Sequence, residues 1–309
     1  MLALSRNYSF RILSSFFWFF IVLLWAINYC YFKFPGNNYL PGETPLVAAV
    51  LSLVLLGSYL QFGPQSRCFY GLKKLSGYFF VIITIALGTN VVQYTPHVPV
   101  DVFLLSIEKK MGVNLVQLMA WTAEHPLFKK ILVDAYNSLP YQMGWLPVLV
   151  LLLRGFEEVQ EYCVLLLATT LLGFVIYYCY PTLGPASLLK SPYFFPEQYD
   201  TGIKFKEIHA YLSPTTIYGG MIAFPSFHVI WACLCLYLVR HWIWLFLPLG
   251  LLNVLLIASC VLLGWHYVID VIGSFLILII VLGSYRMFCI IHWSTSERSK
   301  ARSENHTAI

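Results

Sequence analysis

The sequence predicts an all-α membrane protein, a polytopic helix bundle with about eight transmembrane helices and some interfacial helices. Composition is the first observation behind this prediction: 59% of the 309 residues are hydrophobic, only 11% are charged, and the mean hydropathy is +0.74. A soluble domain of this length has no need for so many apolar residues. The second observation is that the apolar residues form runs of about 20, long enough to cross a bilayer as helices.

The spans and the segments between them divide the chain into four parts. The predicted spans lie at about 12–32, 45–62, 75–94, 131–153, 162–180, 224–239, 242–263 and 265–291. Three spans fill residues 1–95, prolines and charges in 96–130 favour interfacial helices, five spans fill 131–293, and a polar tail predicted to be disordered occupies 294–309. The interfacial segment is consistent both with a substrate entrance and with a plain surface anchor.

Charge and cysteine usage argue against several other classes of protein. The net charge of +5 comes from basic residues scattered among loops, so no nucleic-acid partner is predicted. Most of the eight cysteines fall inside apolar runs and none forms a CxxC pair, so they are interpreted as small packing residues. The sequence therefore predicts neither a disulfide framework nor a metal site.

The stretch from Phe224 to Gly273 places two histidines and an aspartate in a strongly apolar background. Ionisable groups inside a membrane are costly, so each is a candidate site residue. His266 and Asp270 are four positions apart and share one face of a helix, where the carboxylate can hold one imidazole nitrogen and leave the other exposed. The alternative is that these groups are structural and satisfied within the bundle.

The residues before His228 indicate a helix start. Pro225 and Ser226 precede a long apolar run, which places His228 in the first turn, beside backbone N–H groups that suit an anion. If both motifs lie at the same membrane face, His228 and His266 can meet across a space of phosphate size.

These two motifs resemble signatures of the type-2 phosphatidic acid phosphatase superfamily. Pro225-Ser226-Phe227-His228 is similar to P-S-G-H, with Phe in place of Gly. Ser259-Cys260, followed by His266 and Asp270, is similar to S-R-x5-H-x3-D, with Cys in place of Arg. The K-x6-R-P signature should end the preceding span, where the chain has Tyr180-Pro181-Thr182-Leu183-Gly184-Pro185 without a basic residue. Together these departures resemble the branch that holds inositol phosphorylceramide synthase and sphingomyelin synthase.

The resemblance covers about residues 130–290 and implies a fold, a reaction and roles for three residues. It implies a six-helix phosphatase-type core within 131–293, acting as a phosphatase or phosphotransferase on a lipid phosphate. His266 becomes the nucleophile that forms a phosphohistidine, Asp270 orients it, and His228 protonates the leaving oxygen. The partners are a membrane lipid substrate and an acceptor, which is water, a lipid hydroxyl or a small hydroxyl compound. No metal or other cofactor is implied, so EDTA should leave activity unchanged and vanadate should inhibit.

The missing basic residues raise the question of what binds the phosphate charge, since electrostatic stabilisation is usually a large catalytic term. Candidate ligands are the backbone N–H groups of Ser226 and Phe227, the Ser226 hydroxyl and polar side chains near the loop 181–223, namely Tyr180, Lys190, Lys204, Lys206 and His209. Asp134 has two possible roles, in interhelical hydrogen bonding or in contact with a substrate head group. A phosphodiester carries less charge than a monoester, so the loss of basic residues favours a diester substrate and head-group transfer.

The distribution of basic residues predicts the orientation. With eight spans, Tyr180, His228 and His266 meet at the face opposite the termini. Short loops on the terminal side carry most of the basic residues, namely Arg6, Arg11, Arg67, Lys73, Lys74, Arg154, Arg240, Arg298, Lys300 and Arg302, against Lys33 on the other side. The termini are therefore predicted to be cytoplasmic and the site periplasmic or luminal. The membrane would be the inner membrane of a bacterium, or the Golgi or another endomembrane of a eukaryote.

Two other functions remain open from the sequence. Buried His and Asp residues also mark proton pathways, so a transporter or flippase of a lipid or anionic solute is one alternative. A non-catalytic scaffold that keeps the fold is the other, since the basic phosphate ligands are absent. A trapped phosphorylated intermediate that depends on His266 would separate the enzyme from both.

Overall fold

The protein is a helical bundle, which confirms the predicted fold class. A computed structural model describes residues 2–33, 40, 42–153, 155–216, 220 and 222–307, with side chains described from 7 to 290. The described part contains helices and no strand. Its α-helices are α1 (Leu2–Ile27), α2 (Thr44–Phe62), α3 (Arg67–Val92), α4 (Asp101–Lys110), α5 (Leu115–Ala123), α6 (Pro126–Asn137), α7 (Leu139–Leu152), α8 (Phe156–Cys179), α9 (Pro196–His209), α10 (Phe227–Leu238), α11 (Ile243–Leu262) and α12 (Val268–Thr307). A π-helical turn, Asn28–Phe32, continues α1, and a 3₁₀ turn, Pro185–Ser187, precedes α9.

Six of the eight predicted spans are helices long and apolar enough to cross a membrane. They lie in α1 with its π-helical turn, α2, α3, α8, α11 and α12 as far as Ile290. The other two are shorter, because α7 has 14 residues and α10 has 12. The predicted span at 131–153 is divided at Ser138, where α6 ends and α7 begins. Pro140 lacks the N–H that a continuous helix needs at that position.

Helix α8 forms the centre of the bundle, and most of its residues are buried. An aromatic series crosses the core, in which Phe174 of α8 makes edge-to-face contacts with Phe17 and Phe227 at centroid distances of 5.7 Å each. Glycines make room for these rings: a Cβ at Gly88 would lie 2.6 Å from Phe174, and one at Gly173 would lie 2.7 Å from Phe227. The packing of α1, α3, α8 and α10 therefore depends on large residues facing small ones.

Polar contacts show that α3 and α8 run parallel. At one end Tyr70 donates a hydrogen bond to Glu157 at 2.9 Å, and at the other Thr95 donates to the carbonyl of Tyr178. Glu161, near the first end, is 3% exposed and pairs with Arg240 at 2.9 Å. Towards the opposite end of α8, Phe174 contacts Phe227 at the start of α10, so the histidine motif that begins α10 lies at the end of the bundle away from Glu161.

The segment between the first three helices and the core contains two helices, α4 and α5, where the sequence predicts one or two. At the carboxyl end of the chain, α12 runs on to Thr307 through most of the polar tail for which composition predicts disorder. No glycine or proline lies after Gly283 to interrupt that helix. Residues 308–309 and Arg154 lie outside the described residues.

Candidate active site

Two histidines from separate parts of the chain meet at one end of the bundle. His228 lies in the first turn of α10, and His266 lies two residues before α12. Their ring centroids are 6.0 Å apart and the ring planes are inclined by 58°. Both rings can therefore contact a single group of phosphate size.

His266 is supported by Asp270 of α12. The Nδ1 atom of His266 lies 3.3 Å from Oδ2 of Asp270, and both side chains are buried. The same carboxylate oxygen accepts the backbone N–H of Tyr267 at 3.0 Å, which fixes its position. With Nδ1 facing the carboxylate, Nε2 of His266 is the nitrogen that remains for chemistry.

His228 has an aromatic partner that sequence reasoning missed. The ring of Tyr136 stacks on His228 at a centroid distance of 4.2 Å, and the Tyr136 hydroxyl lies 3.5 Å from Nδ1 of His228. The other face of Tyr136 stacks on Trp265 at 5.1 Å. Two signals pointed to these residues: Tyr136 belongs to the polar stretch of the predicted fourth span, and Trp265 adjoins His266.

Trp265 follows a sharp turn at Gly264. Gly264 has a φ of +79°, a backbone conformation that favours glycine. A Cβ at this position would also lie 2.5 Å from the sulfur of Met119 and 2.9 Å from the ring of Phe194. Glycine is therefore required here both for the backbone conformation and for close packing against α5.

Both histidines line a cavity of about 80 Å³. Its described lining residues are Thr89, Tyr136, Phe174, Gly184, Thr201, Phe205, Gly220, Ile222, Ala223, Phe227, His228, Trp231, Trp265 and His266. Most are apolar or aromatic and none of them is Lys or Arg. The walls are therefore mostly apolar, and they offer little positive charge to a phosphate.

The three places where the chain departs from the superfamily signatures are occupied by other contacts within the protein. Phe227 places its ring over Gly173 of α8 and lines the cavity. Cys260 is fully buried, with its thiol 3.4 Å from the carbonyl of Leu256. At the end of α8, the N–H groups of Leu183 and Gly184 donate to the carboxylate of Asp101 at 2.7 Å and 2.9 Å. A buried acid from α4 therefore holds the segment where a basic signature was sought.

Most of the predicted phosphate ligands lie away from the cavity lining. Tyr180 is 59% exposed, Lys190 is exposed, and Asp134 is exposed on α6. Lys206 donates to the carbonyl of Ser187 at 2.9 Å. Ser226 precedes α10 and is fully buried without being one of the lining residues.

Two further predicted ligands, Lys204 and His209, are partly or fully buried on α9. Lys204 is fully buried next to Phe205, which lines the cavity, and burial lowers the pKa of Lys204 to about 8. His209 lies with Nε2 3.4 Å from the hydroxyl of Tyr177, and burial lowers the pKa of His209 to about 4. Lys204 and Lys206 both adjoin Phe205 in sequence, and of the two only Lys204 is buried.

Helix α4 contributes a second acid, Glu108, which sequence reasoning did not place at the site. Glu108 is fully buried and accepts the N–H of Val268, the first residue of α12. Burial raises the pKa of Glu108 and raises the pKa of Asp101 to about 6, while the N–H groups that each accepts oppose the rise. The two acids stand on one buried face of α4, which also includes Leu104.

Comparison with known proteins gives a family match over the part of the chain that holds this site. A sequence model described as the PAP2 superfamily matches residues 102–284, a range that includes α4, both histidines and Asp270. Searches of curated proteins and of solved structures gave no match. Because the matched range is more than half of the chain, the family is established: this protein belongs to the PAP2 superfamily.

Proposed function

We propose that this protein is an integral-membrane lipid phosphotransferase or phosphatase that works through a phosphohistidine on His266. Superfamily membership supports a phosphatase-type activity on a lipid phosphate. The observation that carries the proposal is the approach of His228 and His266 to 6.0 Å within one cavity, with Asp270 beside only one of them. This asymmetry suits one nucleophile and one proton carrier.

In the first half of the reaction, Nε2 of His266 attacks phosphorus. The N–P bond forms as the bond from phosphorus to the leaving oxygen breaks, and protonated His228 gives its proton to that oxygen. Asp270 stabilises the positive charge that develops on the phosphorylated imidazole. The contact of 3.3 Å is long for a charge-assisted hydrogen bond, and such contacts shorten when substrate binds.

In the second half, an acceptor hydroxyl or water attacks the phosphohistidine. Neutral His228 takes the proton of the acceptor, a new O–P bond forms, and the N–P bond breaks to restore His266. The acceptor decides the outcome, because water gives hydrolysis and a lipid or small-molecule hydroxyl gives head-group transfer.

Transfer of a phosphodiester head group is favoured over hydrolysis of a monoester by the charge and polarity of the cavity. A dianionic monoester needs more positive charge than a diester, and none of the described lining residues is Lys or Arg. The neighbouring Lys204 has a pKa lowered by burial to about 8, so it is a weaker source of positive charge than a solvated lysine. Apolar walls also favour an acceptor that reaches the site from the membrane.

The phosphohistidine is tested by trapping it. Purified protein in detergent is mixed briefly with lipid substrates labelled at phosphorus, quenched in alkali and assayed for label on the protein. We expect label on the wild type and none on His266→Ala, with turnover lower by at least ~10³-fold because the nucleophile is lost. His241→Ala is the matched control, because His241 is exposed at the far end of α10. Equal labelling of His266→Ala and the wild type would contradict the assignment.

The preference for transfer is tested by competition between two substrates. Phosphatidic acid and a phosphodiester lipid are supplied together with an alcohol acceptor, and free phosphate and transferred head group are both measured. We expect the diester to be consumed faster, with product on the acceptor. Rapid release of phosphate from phosphatidic acid without any transfer is the result that excludes this preference.

A further inference from the structure

Glu108 of α4 reaches the start of the helix that carries Asp270. The two residues are far apart in sequence, yet Glu108 accepts the N–H of Val268, and the N–H of Ile269 faces the same carboxylate. Glu108 is fully buried, so its position is set by protein contacts and not by water. An acid in this place also interacts favourably with the positive end of α12.

The start of α12 lacks a capping side chain of its own. The first N–H groups of a helix have no acceptor within the helix, and the residue before the helix usually supplies one from a short polar side chain. That residue here is Tyr267, which is fully buried and whose phenol lies near Asp101. Glu108 therefore supplies from another helix the acceptor that Tyr267 cannot provide.

Asp270 accepts another N–H group at the same helix start, that of Tyr267. It is the third residue of α12, and its carboxylate reaches back to the N–H of Tyr267 at 3.0 Å, as an acid at this position does in a capping box. The same oxygen lies 3.3 Å from Nδ1 of His266. If the N–H groups of Val268 and Ile269 had no other acceptor, they would compete with His266 for this carboxylate.

We propose that Glu108 is a positioning residue for the reaction: by accepting the N–H groups at the start of α12, it keeps the carboxylate of Asp270 directed at His266. The inference rests on the proposed function of the site, because it assigns Glu108 a role in preparing the nucleophile. Glu108 acts through Asp270 and does not itself contact the reacting atoms.

The kinetic test compares Glu108→Gln with Lys109→Gln. Glutamine keeps the size of the side chain and loses its charge and one acceptor oxygen, while Lys109 is an exposed neighbour on the same helix. We expect Glu108→Gln to lower kcat and the single-turnover rate of His266 phosphorylation by about tenfold to a hundredfold, as removal of an outer partner of a functional side chain does. KM should stay within about twofold, and Glu108→Asp should recover part of the rate. A change in KM without a fall in kcat overturns the proposal, and so does an equal fall in kcat for Lys109→Gln.

A second test does not depend on turnover. In protein labelled with ¹⁵N-histidine, the Nδ1 proton of His266, assigned with His266→Ala, should give a low-field resonance from its bond to Asp270. We expect this resonance to be lost or shifted upfield in Glu108→Gln and kept in Lys109→Gln. An unchanged resonance in Glu108→Gln contradicts the positioning role.

Wild-type protein alone can also decide the question, even if a variant at 108 does not fold. The amide hydrogens of Val268 and Ile269 should exchange slowly, because Glu108 accepts them, and exchange as fast as at an open helix start overturns the proposal. Absence of a phosphohistidine in the wild type would instead contradict the proposed function. The resonance and exchange tests would still report on the contacts of Glu108.

Discussion

At the scale of single residues, the two histidines differ in the group that faces Nδ1. His266 faces the carboxylate of Asp270, and His228 faces the phenol of Tyr136. A carboxylate stabilises an imidazole that becomes positively charged on phosphorylation, whereas a neutral phenol leaves His228 able to gain and lose a proton. The stack of Trp265, Tyr136 and His228 also fixes the plane of the second imidazole.

Substitution of Tyr136 separates the hydroxyl from the stack. Tyr136→Phe keeps the stacked ring and removes only a hydroxyl that lies 3.5 Å from Nδ1 of His228, at the outer limit of a hydrogen bond, so kcat/KM should fall by no more than about twofold. Tyr136→Leu also removes the ring contact, worth about 0.5–1.5 kcal/mol more, so its kcat/KM should be lower still. Steady-state kinetics will show whether kcat/KM falls in the order wild type, Tyr136→Phe, Tyr136→Leu. Tyr141→Phe, at an exposed tyrosine on α7, is the control. Equal kcat/KM values for all three proteins would show that Tyr136 has no role in the reaction.

At the scale of elements, α4 connects two segments that border the cavity. Asp101 at its start holds Leu183 and Gly184 after α8, and Glu108 near its end holds the start of α12. Charged residues in this segment made the sequence look like a surface helix, but these two carboxylates face backbone N–H groups inside the protein. The structure therefore gives α4 contacts with the segment after α8 and with the start of α12, in addition to any role at the membrane surface.

Asp101→Asn should change the pH dependence of the stability of the fold. Asparagine has one acceptor oxygen for two buried N–H groups, a loss of about 1–3 kcal/mol, but near neutral pH it also removes the cost of burying a carboxylate, so the pH dependence is the informative quantity. The pKa of Asp101 is raised by burial from 3.8 to about 6, so the folded state binds more protons than the unfolded state between these values. This group therefore makes the protein more stable as pH falls through 6 towards 4.

The measurement is thermal unfolding in detergent between pH 4 and pH 7.5. Glu108 and Asp270 also lie near Asp101, so the informative quantity is the difference between the wild type and Asp101→Asn. We expect the melting temperature of the variant to rise less on acidification than that of the wild type. Parallel curves would show that Asp101 does not change protonation in this range.

At the scale of the whole molecule, the two ends of the bundle differ in chemistry. One end holds the histidines and Asp270, while the other holds the contacts of Glu157 with Tyr70 and of Glu161 with Arg240. The excess of basic residues in short loops at the second end predicts that this end lies in the cytoplasm. On that prediction the site faces the periplasm, a lumen or the exterior.

Cysteine labelling tests this orientation. In a chain whose exposed cysteines Cys30, Cys68 and Cys179 are replaced by serine, Lys190→Cys and Gln65→Cys place single reporters at opposite ends. A membrane-impermeant maleimide added to intact cells or right-side-out vesicles should label the first reporter, and the second only after permeabilisation. If the protein lies in an internal membrane, sealed vesicles of that membrane should give the reverse pattern. Labelling of both reporters on one side contradicts the topology.

The sequence predicted what depends on local spacing, and missed what depends on distant packing. The separation of His266 and Asp270 by four residues and the Pro225-Ser226 helix start were enough to anticipate two imidazoles at one end of the bundle. By contrast, Glu108 and Val268 are 160 positions apart, and Tyr136 and His228 are 92 apart. Polarity and position in the sequence suggested Tyr180, Lys190 and Asp134 as candidates, but the direction of a side chain at the end of a helix depends on its neighbours. Those three are exposed.

The crowded turn at Gly264 has a practical consequence for anyone who wants to alter which molecules the cavity accepts. Randomising the turn at Gly264 would displace Trp265 and, through the stack, Tyr136 and His228. Most variants in such a library would then be inactive because the site is distorted. Diversity is better introduced at lining residues such as Thr201 or Ile222, which have no positive φ and whose side chains contribute directly to the cavity wall.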